Sequence, residues 1–405
     1  MGLLDRWTRD RQWPSAELAA APAGLLAVPG DAGPPLVGYG QLPLRDPGFT
    51  VERVERHGPV SWVAAAGSRV VLVAGAEAAA ELLADRGRAF SQSGWPAPHA
   101  NTGLLARDGD DHLHHRRLLQ EAFTADRVAA YLRRVDDIAK RDVPRWSSGP
   151  LVPRLRDLAD SVTTGVLLDG ASAPLAEVPA RRRGNGDDLL TALCQARTPE
   201  GHMLTDADVV DHLDLLTRTA AQTLVTAVAS AVLHLGRDPE WQDRARVECL
   251  SVDPPSVDRL AGLTALDLVT KEALRLAAPV PHLLRRAVRE TSLQGRHIPA
   301  GTLVAFSVWA THHAPATWTE PSTFDPDRFG DGRREERAHP FAWLPFGGGA
   351  HKCLGTYFGL HEVKAVLHAI LRSHRWALPR EYAPQWRCSP NPLPTDNLPV
   401  VFEAV

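Results

Sequence analysis

Two periods of apolar spacing run through this chain. Val60 to Val63 and the β-branched run Val70 to Val73, parted by a turn at Gly67-Ser68, predict a hairpin. Ala76 to Asp85 reads as a helix, and so does His112 to Leu132, whose charges gather on one side. Between them, Gln92 to Asp111 reads as loop, with Trp95, Pro96 and Pro98. The strongest signal lies at Leu204 to Leu235. Thr205 is placed to cap it, and apolar residues recur at Val209, Val210, Leu213, Leu216, Ala220, Leu224 and Val228. They surround almost the whole circumference, which predicts a helix of about 30 residues buried in the middle of the fold. Another helix is expected from Thr264 to Ala277, stopping before Pro279. Short strands follow, with a turn at Pro299-Ala300-Gly301, and a final long helix runs from Thr356 to Ser373. Residues 1–35, punctuated by Pro29-Gly30 and Gly33-Pro34-Pro35, read as an irregular lead-in. With no repeats and no low-complexity linker, the expectation is a single domain over 1–405, mainly α with small β-sheets.

Composition narrows the class. A chain that is 44% hydrophobic and 23% charged is not disordered. Its 45 Lys plus Arg against 48 Asp plus Glu leave a net charge of −3, with no footprint for nucleic acid or an anionic membrane. The longest apolar stretch, Leu224 to Leu235, is interrupted by Thr226, Ser230 and His234 and falls short of the ~20 residues of a membrane span. Met1 to Gly30 lacks a basic end followed by an apolar run, so no signal peptide is read there. Cys194, Cys249, Cys353 and Cys388 lie far apart, which argues against a disulfide framework or zinc knuckle and for a reducing cytoplasm.

Candidate chemistry concentrates at Phe346-Gly347-Gly348-Gly349-Ala350-His351-Lys352-Cys353-Leu354-Gly355, directly before the last helix. The glycines allow close backbone approach to a flat ligand. Cys353 sits where backbone N–H groups and the positive end of a helix stabilise a thiolate, a suitable axial ligand for haem iron. A phosphate-binding loop would need Gly-Lys followed by Ser or Thr, and that reading fails here. A structural turn holding an inert cysteine is the competing reading.

This segment resembles the haem-binding signature F-x-x-G-x-x-x-C-x-G of the cytochrome P-450 superfamily, through Phe346, Gly349, Cys353 and Gly355. The resemblance implies the P-450 fold, bound haem b, Cys353 as the iron ligand and His351 at a haem propionate, with Phe346 and Gly347 beside the cofactor. Other positions match in the family's order. Glu272 and Arg275 form its E-x-x-R pair, and Phe324-Asp325-Pro326-Asp327-Arg328-Phe329 resembles the segment that adds Arg328 to it. A buried trio of this kind must be fully hydrogen-bonded, and its expected role is to fix the cysteine loop. His112 and Arg116 match H-x-x-x-R and stand one turn apart, in reach of a propionate. The rival, a metal site built on His112, His114 and His115, lacks a carboxylate or fourth ligand on that stretch. Of Arg285 and Arg286, the resemblance selects Arg286 as a further propionate contact.

Two positions depart from the family. Its long helix usually carries A/G-G-x-D/E-T, and the matching stretch is Thr219-Ala220-Ala221-Gln222-Thr223. The alcohol is present as Thr223, but an amide, Gln222, stands where the acid belongs and cannot titrate. Arg218, one turn earlier, reads as an i, i+4 partner of Asp214. Secondly, Ala171 to Gly186 is too short for the two roof helices the family usually has there, at about 11 residues each. Pocket walls are expected at Trp95 to Asn101, Arg218 to Thr223, Val280 to Leu284 and Asn391 to Thr395.

The resemblance implies a haem-thiolate monooxygenase that inserts one oxygen atom from O2 into a hydrophobic small molecule. Its electrons would come from NAD(P)H through ferredoxin reductase and ferredoxin. His351, Lys352, Arg116 and Arg117 would offer an acidic donor a basic surface. An Arg-rich, aromatic-poor composition points to a bacterial natural-product pathway. The alternatives are a P-450-like auxiliary protein that stabilises a partner, or a haem enzyme performing rearrangement or coupling.

Overall fold

In the computed structural model, residues 13–35, 38–65, 67–92, 103–168 and 174–404 are described. The hairpin forms as its alternation demands, with β3 (Val60–Ala65) antiparallel to β4 (Ser68–Val73) and Val60 opposite Val73. These strands sit within a seven-stranded sheet, together with β1 (Ala16–Glu17), β2 (Pro29–Asp31), β5 (Phe90–Ser91), β6 (His282–Ala287) and β7 (Leu303–Ser307). The order is β1-β2-β3-β4-β7-β6-β5, with β7 parallel to β4 and antiparallel to β6. Part of the lead-in expected to be irregular therefore supplies two strands. Asp31, at the end of β2, is buried and accepts hydrogen bonds from Tyr39 Oη and Arg53 Nη1, each at 2.5 Å, which holds that strand in place.

The larger body is helical: α1 (Ala76–Ala84), α2 (Gly109–Gln120), α3 (Ala125–Asp142), α4 (Leu151–Thr163), α5 (Pro174–Arg181), α6 (Leu189–Gln195), α7 (Asp206–Leu235), α8 (Pro239–Leu250), α9 (Thr264–Leu276) and α10 (Thr356–Ser373). Leu118, Tyr131, Val228, Leu233, Val269 and Leu367 meet in one core between α2, α3, α7, α9 and α10. The helix expected over His112 to Leu132 is two helices. Thr124 turns to an extended backbone (ψ 160°), and the corner is held where Tyr131 Oη donates to the Ala122 carbonyl at 3.0 Å.

Helix α7 starts at Thr205, whose hydroxyl and Asp208 cap each other's backbone N–H groups. Leu224 to Leu233 are buried, as the apolar pattern predicts. The N-terminal half departs from that prediction: Asp214, Arg218, Thr219 and Gln222 form an exposed stripe. Polar residues four apart share one helix face. The segment before α6 holds one helix, α5, of eight residues. It is firmly seated: Arg181 Nη1 donates to Asp188 at 2.6 Å, Arg182 to the Cys194 and Leu204 carbonyls at 2.7 and 2.8 Å, and Gln195 to the Gly184 carbonyl at 2.6 Å.

Candidate functional site

The cysteine loop is shaped by its glycines. Gly347 and Gly349 both adopt φ +67°, and a Cβ on Gly349 would lie 1.7 Å from the Leu83 carbonyl oxygen at the end of α1. Only glycine fits that approach. The loop closes on itself through Cys353 N–H to the Phe346 carbonyl at 2.8 Å, and Thr356 Oγ1 donates to the Cys353 carbonyl at 2.8 Å. The Phe346 ring lies 3.7 Å from where a Cβ on Gly359 of α10 would be.

Cys353 differs from the other three cysteines. They are buried outright, whereas its side chain is exposed. It is nevertheless closely surrounded, and that burial raises its thiol pKa. The Gly355 N–H, Arg116, the Thr356 hydroxyl and Lys352 all act in favour of the thiolate.

Cationic and imidazole groups gather beside the loop. The His112 and His351 rings lie with centroids 4.0 Å apart and planes tilted by 39°, and His351 Nε2 is 3.5 Å from Asp108 Oδ1. His112 is 1% exposed and its buried Nε2 has no hydrogen-bond partner. Burial and Arg116 push its pKa down, while burial, His112 and Arg285 push that of His351 down to about 3. Arg285 is buried, which lowers its pKa to about 10, and its field reaches both histidines. Arg286, the residue that the resemblance selects, donates through Nη1 to the Gly301 carbonyl at 3.2 Å. Along β6 alternate side chains face opposite ways, so Arg285 shares a face with Leu283, which packs toward Gly347. That alternation was the signal in the sequence.

The E-x-x-R trio assembles as expected. Glu272, Arg275 and Arg328 are fully buried. Glu272 accepts from Arg275 Nε at 2.7 Å and Nη2 at 2.9 Å, from Arg328 Nε at 3.0 Å, and from the Asp325 N–H at 3.0 Å. Remaining guanidinium N–H groups reach the His312, Pro321 and Thr319 carbonyls and Glu335.

On α7 the Thr223 hydroxyl donates back to the Thr219 and Ala220 carbonyls, at 3.0 Å each, inside an unbroken helix. Gln222 is exposed beside it. Arg218 pairs with Asp214 at 2.7 Å, as its spacing predicts. Among the described residues no cluster of three or more His, Cys, Asp or Glu is arranged to hold a metal ion. The expected pocket wall at Trp95 to Asn101 lies outside the described residues.

The loop and its surroundings fit haem. Cys353 is exposed, a glycine cradle keeps side chains out, and the buried His112, whose Nε2 has no hydrogen-bond partner, stands with Arg116 and Arg285 where an anionic propionate would be received.

Comparison with known proteins agrees. The sequence model described as Cytochrome P450 matches residues 176–393. The chain is 33% identical over 462 residues to cytochrome P450 136 of Mycobacterium tuberculosis, covering 99% of this chain and 94% of that one. It is 28% identical over 412 residues to cyclooctat-9-en-7-ol 5-monooxygenase of Streptomyces melanosporofaciens, covering 85% and 88%. Among solved structures, the retinoic acid-bound cyanobacterial CYP120A1 superposes with a TM-score of 0.83 at 26% identity, covering 93% of this chain and 99% of that one.

Fold and site together define a haem-thiolate protein. The chain belongs to the cytochrome P450 family, of the bacterial type, whose members bind haem b through a cysteine thiolate and act in general as monooxygenases. No single helix among the described residues is long and apolar enough to cross a membrane.

Proposed function

We propose that this chain inserts one oxygen atom from O2 into a hydrophobic small molecule that enters over the exposed stripe of α7. Its electrons arrive from NAD(P)H through ferredoxin reductase and ferredoxin. The observation that carries the reading is the cysteine loop, with Cys353 exposed and backed by Gly355 N–H, Arg116 and Lys352. Bound haem b supplies the redox chemistry of O2 activation. Cys353 would hold it through sulfur, and His112, Arg116, Arg285 and His351 would receive its propionates. The basic residues on the Cys353 side suit an acidic electron donor.

Gln222 and Thr223 set the distal chemistry. The Thr223 hydroxyl proton is committed to backbone carbonyls, and the Gln222 amide has no proton to give at neutral pH. Protons therefore come from water, which Gln222 orients through its amide. A role in bacterial natural-product biosynthesis is supported by the likeness to the Streptomyces monooxygenase.

The test is reconstitution with ferredoxin, its reductase and NADPH under labelled O2, against terpenoids, fatty acids and polyketides that shift the haem spin state. Label in a product supports the reading. NADPH consumption unchanged by every spin-shifting ligand, with no labelled product, refutes it. A second reading, a P450-like protein that stabilises a partner or a haem enzyme for rearrangement or coupling, draws on the exposed Gln222 and the eight-residue α5. An auxiliary role predicts no haem incorporation in the reduced carbon monoxide spectrum, and unchanged product per electron in Gln222→Asp would remove Gln222 from the mechanism.

A further inference from the structure

We propose that His312 is a positioning residue that ties the Glu272–Arg275–Arg328 cluster to the start of the cysteine loop. It ends the short helix Val308–His312, which Ser307 caps by accepting from Ala310 N–H at 3.0 Å. The helix is fixed from outside as well, since Gly75 N–H donates to Thr311 Oγ1 at 2.9 Å. His312 itself is 0% exposed.

Both ring nitrogens are used, and one bond dictates the other. The Leu344 backbone N–H, always a donor, reaches His312 Nε2 at 2.7 Å. Nε2 is thus the acceptor, Nδ1 carries the proton, and Nδ1 donates to the Arg275 carbonyl at 3.1 Å. Arg275 answers through Nη1, which donates to the His312 carbonyl at 2.6 Å. Burial and the Arg275 charge keep the ring neutral, as this arrangement requires.

The clasp has a direction. Arg275 belongs to α9 and is locked by Glu272, whereas Leu344 opens the segment that runs through Phe346 to Cys353. Gly347 N–H donates to the Leu344 carbonyl at 3.0 Å, so the position of Leu344 passes into the glycine turn. Leu344 is itself buried, and without the imidazole its N–H would be left unpaired there. Trp343 Nε1 adds a weaker tie to the Lys271 carbonyl at 3.3 Å. The cluster therefore steers the sulfur through one neutral ring. The proposal rests on Cys353 as the iron ligand.

Two amide variants separate this role from bulk packing. His312→Asn keeps a donor near the position of Nδ1 but withdraws the acceptor from Leu344. His312→Gln keeps an acceptor at the reach of Nε2. Three measurements on the purified haem-loaded chain apply: the thiolate-type Soret band of the reduced carbon monoxide complex through a urea series, haem retention, and exchange of the Leu344 amide. For His312→Asn the ratio of thiolate-ligated to displaced haem falls about tenfold and the Leu344 amide exchanges about tenfold faster, the effect of one buried unpaired N–H. For His312→Gln both stay within about twofold of the parent. Equal behaviour of the two variants, or parental values for His312→Asn, overturns the proposal. If the parent shows no thiolate band, the role of Cys353 is what fails, and Leu344 exchange, which needs no haem, still decides the clasp. If His312→Asn does not fold, His312→Gln decides alone: a parental band and exchange support the clasp, and their loss overturns it.

Discussion

Replacing Glu272 with glutamine keeps the shape of the side chain and removes its charge. Three of the four hydrogen bonds to Glu272 end on Oε1 and one, from Arg275 Nε, on Oε2. The glutamine oxygen is best placed at Oε1, where it keeps three bonds at neutral strength. Its NH2 then faces the Arg275 Nε–H, donor against donor. Arg328 retains Glu335 at 2.7 Å, but Arg275 loses its carboxylate while fully buried. Breaking a buried pair from one side costs about 3–5 kcal/mol, and Glu272→Gln is placed within that range. Asp214→Asn, at the exposed pair with Arg218, is the control and costs less than about 1 kcal/mol. Urea unfolding followed by circular dichroism, on chain with and without haem, measures both. A loss below about 1 kcal/mol for Glu272→Gln in both forms would mean that the trio does not fix the fold as argued.

Gly349→Ala abolishes haem retention, because its Cβ meets the Leu83 carbonyl, whereas Gly347→Ala, with Leu283 no nearer than 3.7 Å, costs only the left-handed backbone penalty of about 1–2 kcal/mol; haem titration separates them. Arg285→Ala weakens haem binding at least tenfold while Arg286→Ala changes it less than twofold, and the reverse order would favour the assignment to Arg286. Glu362 is buried on α10 and its pKa is pushed up from 4.5 to about 8 by that burial. Between those values the folded chain binds more protons than the unfolded one, so stability falls as pH rises through the window, by at most about 1.4 kcal/mol per unit from this group. Glu362→Gln flattens the fall, and an unchanged pH slope in urea unfolding would show the carboxyl to be ordinary.

The parts legible in the sequence are those whose chemistry is local. The spacing from Phe346 to Gly355 sets glycine turns, a cysteine and the following helix close together, and the structure builds them in place. Thr205 to Leu235 was equally plain, because a capping residue and a long apolar period announce a helix. Local pattern does not report what covers a face, so the exposure of Asp214, Arg218 and Gln222 emerges only from the tertiary structure. Nor does it carry the break at Glu121 to Thr124, which a tertiary bond from Tyr131 holds. Arg285 and Arg286 are neighbours on a strand whose alternate side chains face opposite ways, a difference that the motif alone does not carry. His312 was invisible, since its role arises from a meeting with Arg275 and Leu344, each more than thirty residues away.

The central claim is that the Cys353 sulfur bonds to haem iron, and the reduced carbon monoxide difference spectrum of the purified chain tests it most directly. A thiolate-type Soret band in the parent, lost in Cys353→Ser while haem is still held by the propionate contacts, is the predicted result. A parent without that band, or a Cys353→Ser variant that keeps it, would contradict the account.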